Sequence, residues 1–424
     1  MKERKYPEIG EVCYEERLPN GLRVRVVPKR GFARKYAFLA VDFGSIDTRF
    51  TFDGKENRVP DGIAHYLEHK MFDLPGEDAM HLFAAYGGSP NAFTSHSMTA
   101  YYFSCTERFT ENLRVLLHMV NTPHFTDESV QKERGIIAQE IRMYEDSAES
   151  RVGEDLFGAL FAEHPVRVPI AGTVETIDGI TAQMLYDCHR AFYCPANMIL
   201  CAVGDVDAQE VCAVAEALTR PAQQTLPVRN YGAAEKMLPL QKRTERRMEV
   251  SMPTFSVGFK CEPSEEGMET MRRELIGDLA AEILVGESSP LYQKLYEKGL
   301  IDADFSAGYE SVKNACLFSA GGDSKDPEAV LAALLEEARR IEREGFDTEL
   351  FARLKKSSLG RRTRDLDSFE SICYRICAYN FDGADYFRFP EAYASVTPED
   401  VKTFLRETVR QERAAISIIR PKEE

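Results

Sequence analysis

The chain has 424 residues and lacks the features that would indicate a membrane protein, a nucleic-acid-binding protein or a secreted protein. No apolar run reaches the roughly 20 residues that a transmembrane helix needs. Positive charge is in deficit, with 53 lysines and arginines against 69 acidic residues and a net charge of −16. An acidic chain has no electrostatic attraction to nucleic acid or to anionic membranes, so we expect neither as a partner. The first residues lead into no apolar segment, so we expect no secretory signal.

The ten cysteines lack the C-x-x-C spacing that is typical of metal and redox sites. Cys373 and Cys377 are four residues apart in a predicted helix, but no further cysteine or histidine is near, so we assign both to core packing. Unpatterned cysteines in a chain without a secretory signal fit a reducing cytosol. The sequence therefore predicts a cytoplasmic protein.

Histidine is scarce, with 8 in the chain, yet two of them fall in the segment His65-Tyr-Leu-Glu-His69. This H-x-x-E-H order is the inverzincin motif of zinc hydrolases. On a helix, His65 and His69 project from one face one turn apart, and two imidazoles so placed can bind one Zn²⁺ at about 2.0–2.1 Å each. Glu68 lies over the same face and can reach water at the metal, so we predict it as the general base.

The residues around the motif favour a partly buried helix over a solvated surface helix that carries two histidines. Asp61 is predicted as the N-cap residue of this helix. Its apolar side is formed by Ile63, Ala64, Leu67, Met71 and Phe72. Unpaired polar groups that face a buried neighbour are costly, so a metal ion is the predicted partner of the two imidazoles.

A catalytic zinc ion usually has three protein ligands and one open position. The predicted source of the third ligand is the segment 130–150, where the pair Ile136 and Ile137 indicates a partly buried helix. Glu140 follows this pair and is predicted as the third ligand. Glu133 lies two turns earlier on the same face and is predicted to orient a ligand or the attacking water. The alternative is that both glutamates belong to a solvated acidic helix face.

The order of the predicted elements divides the chain into two similar halves. In each half, strands precede a group of helices, which is typical of α+β domains with helices packed on a mainly antiparallel sheet. Residues 219–245 contain three prolines and many polar residues, which indicates a connection. We therefore predict an N-terminal zinc-binding domain at residues 1–220, a linker at 221–245 and a similar C-terminal domain without metal at 246–424.

Individual strands and helices follow from turn signals and from hydrophobic periodicity. Pro19-Asn20-Gly21 predicts a hairpin between two early strands. Residues 248–252 and 254–261 are predicted as the first strands of the second half. Helices are predicted near residues 61–73, 77–86, 109–120, 127–147, 181–191, 208–218, 265–286, 289–298, 327–344, 347–364, 366–379 and 397–408.

Several of these segments together resemble the insulinase (pitrilysin) family of zinc peptidases, over almost the whole chain. They are the motif His65–His69, the E-x6-E pattern of Glu133 and Glu140, Gly87-Gly-Ser-Pro-Asn91-Ala-Phe-Thr94, His164-Pro165, Ala171-Gly172-Thr173, Phe192-Tyr193-x-Pro195-x-Asn197-Met198 and Ser288–Leu300. The chain resembles the short bacterial members most, which are relatives of the processing peptidase subunits of mitochondria. The resemblance implies one Zn²⁺ per chain, peptide-bond hydrolysis and two homologous domains arranged as a clamshell.

A peptide substrate needs an extended backbone with which to pair. Ala92 and Phe93 follow a Gly-Gly turn and are predicted in an edge strand that takes up the substrate as a further strand. The resemblance implies that Asn91 reaches the peptide near the cleavage site. The alternative for Asn91 is a turn residue that caps its own backbone.

The second half departs from the family in one stretch. Family members that act alone supply from there an Arg and a Tyr that hold the substrate carbonyl, but this chain has Tyr296 and Asp302-Ala303 in the matching stretch. A donor of this kind is worth about 10²–10³ in rate. We therefore expect a homodimer, or a heterodimer with a related chain that supplies the Arg/Tyr pair.

These observations predict a cytoplasmic zinc metalloendopeptidase that processes peptides or small unfolded proteins. Two alternatives stay open. The first is a catalytically idle structural or chaperone-like subunit of a processing-peptidase-like complex, and the second is a zinc hydrolase of a non-peptide substrate. The complete set of His65, Glu68, His69 and Glu140 speaks against the idle subunit, because such a copy has no reason to keep a base beside its ligands.

Overall fold

The computed structural model describes residues 1–223 and 225–423. Their strands are β1 (Lys2–Tyr6), β2 (Glu11–Arg17), β3 (Arg23–Pro28), β4 (Lys35–Val41), β5 (Arg49–Phe52), β6 (Lys55–Arg58), β7 (Asp73–Leu74), β8 (Glu77–Asp78), β9 (Ser89–Thr94), β10 (Thr99–Cys105), β11 (Met198–Gly204), β12 (Val228–Arg229), β13 (Arg243–Met248), β14 (Thr254–Cys261), β15 (Ser306–Val312), β16 (Ala315–Asp323) and β17 (Ala414–Pro421). Their α-helices are α1 (Ile63–Lys70), α2 (Ala79–Ala85), α3 (Phe109–Asn121), α4 (Asp127–Glu145), α5 (Ala148–Leu160), α6 (Val174–Asp178), α7 (Ala182–Phe192), α8 (Ala208–Leu218), α9 (Met268–Val285), α10 (Pro290–Glu297), α11 (Pro327–Glu344), α12 (Thr348–Arg364), α13 (Phe369–Phe381), α14 (Phe389–Ser395) and α15 (Pro398–Thr408). Among these described residues, no helix has both the length and the apolar character that crossing a membrane requires.

The first half of the chain forms a seven-stranded sheet with the order β1-β2-β3-β11-β4-β10-β9. The pair β3 and β11 is parallel, and the other neighbouring pairs are antiparallel. Alternate residues of the central strands face a buried core, to which Leu39 of β4, Leu200 of β11 and Tyr101 of β10 contribute together with Leu67 of α1. The helix α1 therefore packs on the sheet, in contact with its edge strand β9.

The second half repeats this arrangement in a smaller sheet with the order β13-β17-β14-β16-β15. Here β13 and β17 form the parallel pair, and the other neighbours are antiparallel. Each of these strands has a counterpart at the same place in the series β3-β11-β4-β10-β9. The predicted α+β class, with two similar and mainly antiparallel sheets packed with helices, is therefore confirmed.

The two compact units of the structure are not continuous in sequence. The first unit contains residues 1–141, 169–231 and 363–388, and the second contains 142–168, 232–362 and the chain from 389 onwards. In the second unit α5 packs against β14 and β17, and in the first unit α13 packs against β4 and β11. Each half of the sequence thus contributes one helix to the unit that is built on the sheet of the other half. The domain boundaries 1–220, 221–245 and 246–424 stay a prediction.

Most predicted helices are present, but some strands differ from the prediction, and the helices α5, α6 and α14 were not predicted. The first strand of the second half is β13, not residues 248–252, because its exposed sequence RTERRM carries almost no apolar signal. The helix α5 was not predicted, since Gly153 and Gly158 interrupt an apolar stripe that the structure buries. Within the predicted linker, Val228–Arg229 form β12, which pairs with β5.

The carboxylate of Glu235 joins three parts of the second unit. Its Oε1 accepts hydrogen bonds from the backbone N–H groups of Ala162, Glu163 and His164 at 2.9, 2.7 and 2.8 Å, and its Oε2 accepts one from Lys260 Nζ at 2.7 Å. Lys260 lies on β14 and is only 2% exposed. Burial alone would raise the pKa of Glu235, but Lys260 and the three N–H groups more than offset burial and lower the pKa to about 2. Glu235 therefore anchors its segment to the C-terminal end of α5.

Candidate metal centre

A glycine is the N-cap residue of α1, so the prediction of Asp61 at that place is wrong. The N-cap residue is Gly62, with a φ of 89° and no side-chain cap. A Cβ atom at Gly62 would lie 2.3 Å from the carbonyl oxygen of Ala171, and one at Gly172 would lie 2.5 Å from that of Asp61. The two backbone turns are so close that only glycine fits between them. The segment Ala171-Gly172 thus fixes the position of the first turn of α1.

The three predicted metal ligands converge on one point. His65 Nε2 lies 3.6 Å from Glu140 Oε1, and His69 Nε2 lies 3.4 Å from Glu140 Oε2. The two imidazole rings, one turn apart on α1, have centroids 4.6 Å from each other. One ligand atom from each of the three residues lies within 4.8 Å of the others. The helix α4 therefore carries Glu140 to the face of α1 that bears both histidines.

The donor set and its spacing fit a zinc ion. Two histidines and one glutamate are a known ligand set of catalytic zinc sites. Ligand atoms about 2.0–2.1 Å from a tetrahedral ion lie about 3.3 Å from one another. The distances of 3.4 and 3.6 Å from Glu140 to the two histidines are close to this value. A tetrahedral ion held by these three residues keeps a fourth position for water or substrate.

Glu133 holds the ring of His69 in one orientation. Glu133 Oε1 lies 3.0 Å from His69 Nδ1. A carboxylate only accepts hydrogen bonds, so Nδ1 carries a proton and Nε2 is the atom that faces the metal position. The hydrogen bond with His69 lowers the pKa of Glu133. This arrangement of carboxylate and histidine is typical of zinc sites, where it fixes the ligand ring.

The two histidines differ in their protonation. Burial lowers the pKa of His65 to about 4, and the charge of His69 adds to this effect. Burial would also lower the pKa of His69, but its hydrogen bonds with Glu133 and Glu140 more than offset burial and raise the pKa to about 10. At pH 7 His65 is therefore neutral, and a cation that binds to His69 displaces a proton.

Glu68, the predicted general base, lies beside this ligand set and is 8% exposed. Its Oε2 accepts a hydrogen bond from Thr94 Oγ1 at 2.8 Å. Burial raises the pKa of Glu68, and the hydrogen bond from Thr94 opposes this rise. The sequence did not predict the contact with Thr94, because 26 residues separate the two. Thr94 ends β9, so Glu68 lies where α1 meets the edge of the sheet.

Two further side chains of α1 bind the first turn of α4 and were not predicted. The hydroxyl of Tyr66 donates to the carbonyl oxygen of Val130. Lys70 Nζ donates to the carbonyl oxygen of Ser129 at 3.3 Å and pairs with Asp73. Lys70 is 1% exposed, although a lysine near a helix end is usually a solvated cation. These contacts align α4, which carries Glu133 and Glu140, with α1, which carries the two histidines.

The predicted substrate-binding residues lie in β9, which is at the edge of the first sheet as expected. The side chain of Asn91 is exposed, and its Oδ1 accepts a hydrogen bond from the N–H of Ala92 at 2.9 Å. This contact is the local backbone cap that was the alternative for Asn91. The ring of Phe93 lies 6.0 Å from those of Phe38 and Tyr374. A role of these residues in substrate binding stays a prediction.

The stretch of the second unit that departs from the family presents tyrosine and acidic side chains. Tyr296 of α10 is 53% exposed and stacks on Tyr292, with ring centroids 6.1 Å apart. Asp302 accepts a hydrogen bond from the N–H of Asp304 at 3.0 Å. The exposed side chains of this stretch include Tyr296, Glu297 and Lys298, so it offers a lysine but no guanidinium group.

The chain is similar in sequence to known zinc proteases. The family described as Insulinase (Peptidase family M16) matches residues 39–174, and the family described as Peptidase M16 inactive domain matches residues 179–358. The uncharacterized zinc protease YmfH of Bacillus subtilis (strain 168) is 37% identical over 430 residues, which cover 100% of both chains. An uncharacterized zinc protease of Mycobacterium leprae (strain TN) is 28% identical over 377 residues, or 84% of this chain and 79% of that protein.

The fold is also similar to solved structures. An M16-like peptidase from Alicyclobacillus acidocaldarius superposes with a TM-score of 0.93 at 34% identity, over 97% of this chain and 99% of that one. Pitrilysin has a TM-score of 0.76 at 19% identity, over 99% of this chain and 46% of that one, which is a likeness of fold alone. Sequence identity over the full length and the converging His65, His69 and Glu140 agree, and the chain belongs to peptidase family M16, the insulinase family.

Proposed function

We propose that this protein is a zinc-dependent metalloendopeptidase that hydrolyses peptides or small unfolded proteins. The observation that carries the proposal is the convergence of His65, His69 and Glu140 within 4.8 Å, with Glu68 alongside. The names of the relatives support it, since several are zinc proteases. The proposed stoichiometry is one Zn²⁺ per chain, because a single group of three ligands is found among residues 1–223 and 225–423.

The residues of the centre divide the work of hydrolysis. A bound zinc ion supplies polarisation of a carbonyl group and lowers the pKa of water to about 7. His65, His69 and Glu140 would hold this ion, and Glu133 keeps the ring of His69 turned toward it. Glu68 takes the proton of the attacking water and passes it to the leaving amine. Burial raises the pKa of Glu68, which favours a carboxylate that can first accept a proton and then donate it.

The proposed substrate is an extended peptide that pairs with β9. An edge strand offers backbone N–H and C=O groups to an added strand, and this pairing requires an unfolded segment. The proposed contacts are the backbone of Ala92 and Phe93 and the side chain of Asn91. Asn91 Oδ1 must leave the N–H of Ala92 if that group is to bond with the peptide, and its exposed position allows this movement.

The proposal includes a partner chain. The stretch with Tyr296 and Asp302-Ala303 offers no guanidinium group for the substrate carbonyl. A related chain in a heterodimer would supply the Arg/Tyr pair directly, whereas a second copy in a homodimer repeats the same stretch and would have to contribute other donors. The ten free cysteines fit a reducing compartment, so we also propose a cytoplasmic location.

The proposal is tested by zinc quantification combined with cleavage of an unstructured peptide library. The purified chain is assayed alone and with a co-expressed related chain, and each assay is repeated with Glu68→Gln. Zinc binding with cleavage that Glu68→Gln abolishes supports the peptidase. Zinc binding without cleavage in either assay favours the idle structural subunit. Full activity of the isolated chain as a monomer refutes the need for a partner.

A further inference from the structure

The carboxylate of Glu68 touches a small group of hydroxyls between β9 and β10. Thr94 Oγ1 lies 2.8 Å from Glu68 Oε2 and 3.5 Å from Oγ1 of Thr99, which is its direct neighbour across the two strands. Thr99 is fully buried, and its Oγ1 lies 2.8 Å from the carbonyl oxygen of Phe43. Each of the two hydroxyls therefore lies within hydrogen-bond distance of two oxygen atoms of this group, which determines the direction of each hydrogen bond.

The direction follows from the number of protons. A threonine hydroxyl has one proton to donate, and a carbonyl oxygen only accepts. The proton of Thr99 is therefore committed to Phe43, and Thr99 cannot donate to Thr94. The proton of Thr94 then has two acceptors, Thr99 Oγ1 at 3.5 Å and the charged Glu68 Oε2 at 2.8 Å. The shorter, charge-assisted bond is the stronger of the two, so Thr94 donates to Glu68.

We propose that Thr94 is a positioning residue for the general base, an inference that rests on the proposed function of Glu68. The terminal torsion of a glutamate side chain is broad, so an unrestrained carboxylate rotates. A fixed hydroxyl on Oε2 restrains this rotation and leaves Oε1 to accept the proton of the reacting water. Thr94 is held by the backbone of β9, the same strand that is proposed to pair with the substrate. The strand therefore positions both the peptide and the base.

The test compares Thr94→Val, which keeps the shape of the side chain and loses the hydroxyl, with Thr94→Ser, which keeps the hydroxyl. We expect Thr94→Val to lower kcat by about 10–100-fold, the loss that one hydrogen bond to a charged group implies. KM and zinc affinity should change less than about twofold, since no ligand is touched. Thr94→Ser should restore kcat to within about threefold. Crystal structures of both variants should show the Glu68 carboxylate rotated or in two orientations in Thr94→Val only.

Ser95→Ala is the matched control, because it removes a hydroxyl next to Thr94 that bonds Met98 and not Glu68. It should keep kcat and the orientation of Glu68. If Thr94→Val unfolds, Thr94→Ala replaces it as the variant without a hydroxyl.

Three results overturn the inference. The first is a variant without the hydroxyl that keeps both kcat and the orientation of Glu68. The second is a Thr94→Ser variant as slow as Thr94→Val, which would indicate packing. The third is a Ser95→Ala variant that is equally slow. A wild-type protein that cleaves no peptide, either alone or with its related partner chain, would instead refute the proposed function, and the crystal structures would still test the position of Glu68.

Discussion

The carboxylate of Glu133 gives a sharp test of the metal centre, because it touches a ligand without being one. It makes one hydrogen bond of 3.0 Å with His69 Nδ1, and the two side chains are only 16% and 24% exposed. A hydrogen bond to a charged group contributes about 1.5–3 kcal/mol, and one between neutral groups about 0.5–1.5 kcal/mol. Replacing the carboxylate of Glu133 with a neutral acceptor should therefore weaken the free energy of zinc binding by about 1–1.5 kcal/mol. Removing the acceptor altogether should weaken it by about 1.5–3 kcal/mol.

These energies become a graded series of zinc affinities. Since about 1.4 kcal/mol is a factor of ten, Glu133→Gln should weaken zinc binding by about 5–15-fold and Glu133→Ala by about 10–100-fold. The affinity is measured by competition with a chelator of known zinc affinity at pH 7.5. Glu128→Gln is the control, because Glu128 is exposed on the same helix and should leave the affinity unchanged. Wild-type affinity in both Glu133 variants would refute the reasoning that this carboxylate orients His69.

Three further outcomes are expected. Glu68→Gln should keep its zinc and lower kcat by about 10²–10⁴-fold, whereas zinc loss on the same variant would contradict a role confined to proton transfer. Gly62→Ala should lower the free energy of unfolding by about 2–4 kcal/mol in urea titrations, because alanine is strained at a φ of 89° and its Cβ meets the carbonyl oxygen of Ala171. Glu235 has a pKa lowered to about 2 in the folded protein against an ordinary value of 4.5, so its contribution to stability is complete above pH 4.5 and is lost as the pH falls toward 2. Stability curves of Glu235→Gln should accordingly be flatter than those of the wild type between pH 4.5 and 2, and parallel curves would exclude this carboxylate as a source of acid sensitivity.

The sequence predicts best what depends on short spacings. The interval between His65 and His69 equals one helical turn, so the helix and the shared metal follow from one local pattern. Glu140 was predicted from the apolar pair before it, and the structure brings it within 3.6 Å of both imidazoles. For the second half, the sequence predicted a repeat of the series of strands and helices but not the order of the strands in the sheet. Short sequence patterns do not indicate which strands become neighbours.

What the sequence does not predict depends on distant partners. Lys70 is charged and lies near a helix end, yet it is buried because its acceptor Ser129 comes from a helix 59 residues away. Aspartate is a favourable N-cap residue in isolation, but the backbone at Gly172 packs so closely against Asp61 and Gly62 that Gly62 is the N-cap residue instead. In both cases a tertiary contact overrides a correct local preference.

The interleaving of α5 and α13 with the two sheets limits how the chain can be divided. A cut in the connection near residue 230 would yield one fragment that holds α5 without β14 and β17, and another that holds α13 without β4 and β11. Each fragment would expose apolar surface on a sheet and on a stray helix, so each should aggregate when expressed singly. Co-expressed, the two fragments can restore both sets of contacts and recover a soluble, nicked protein. Folding of either half therefore depends on the presence of the other half.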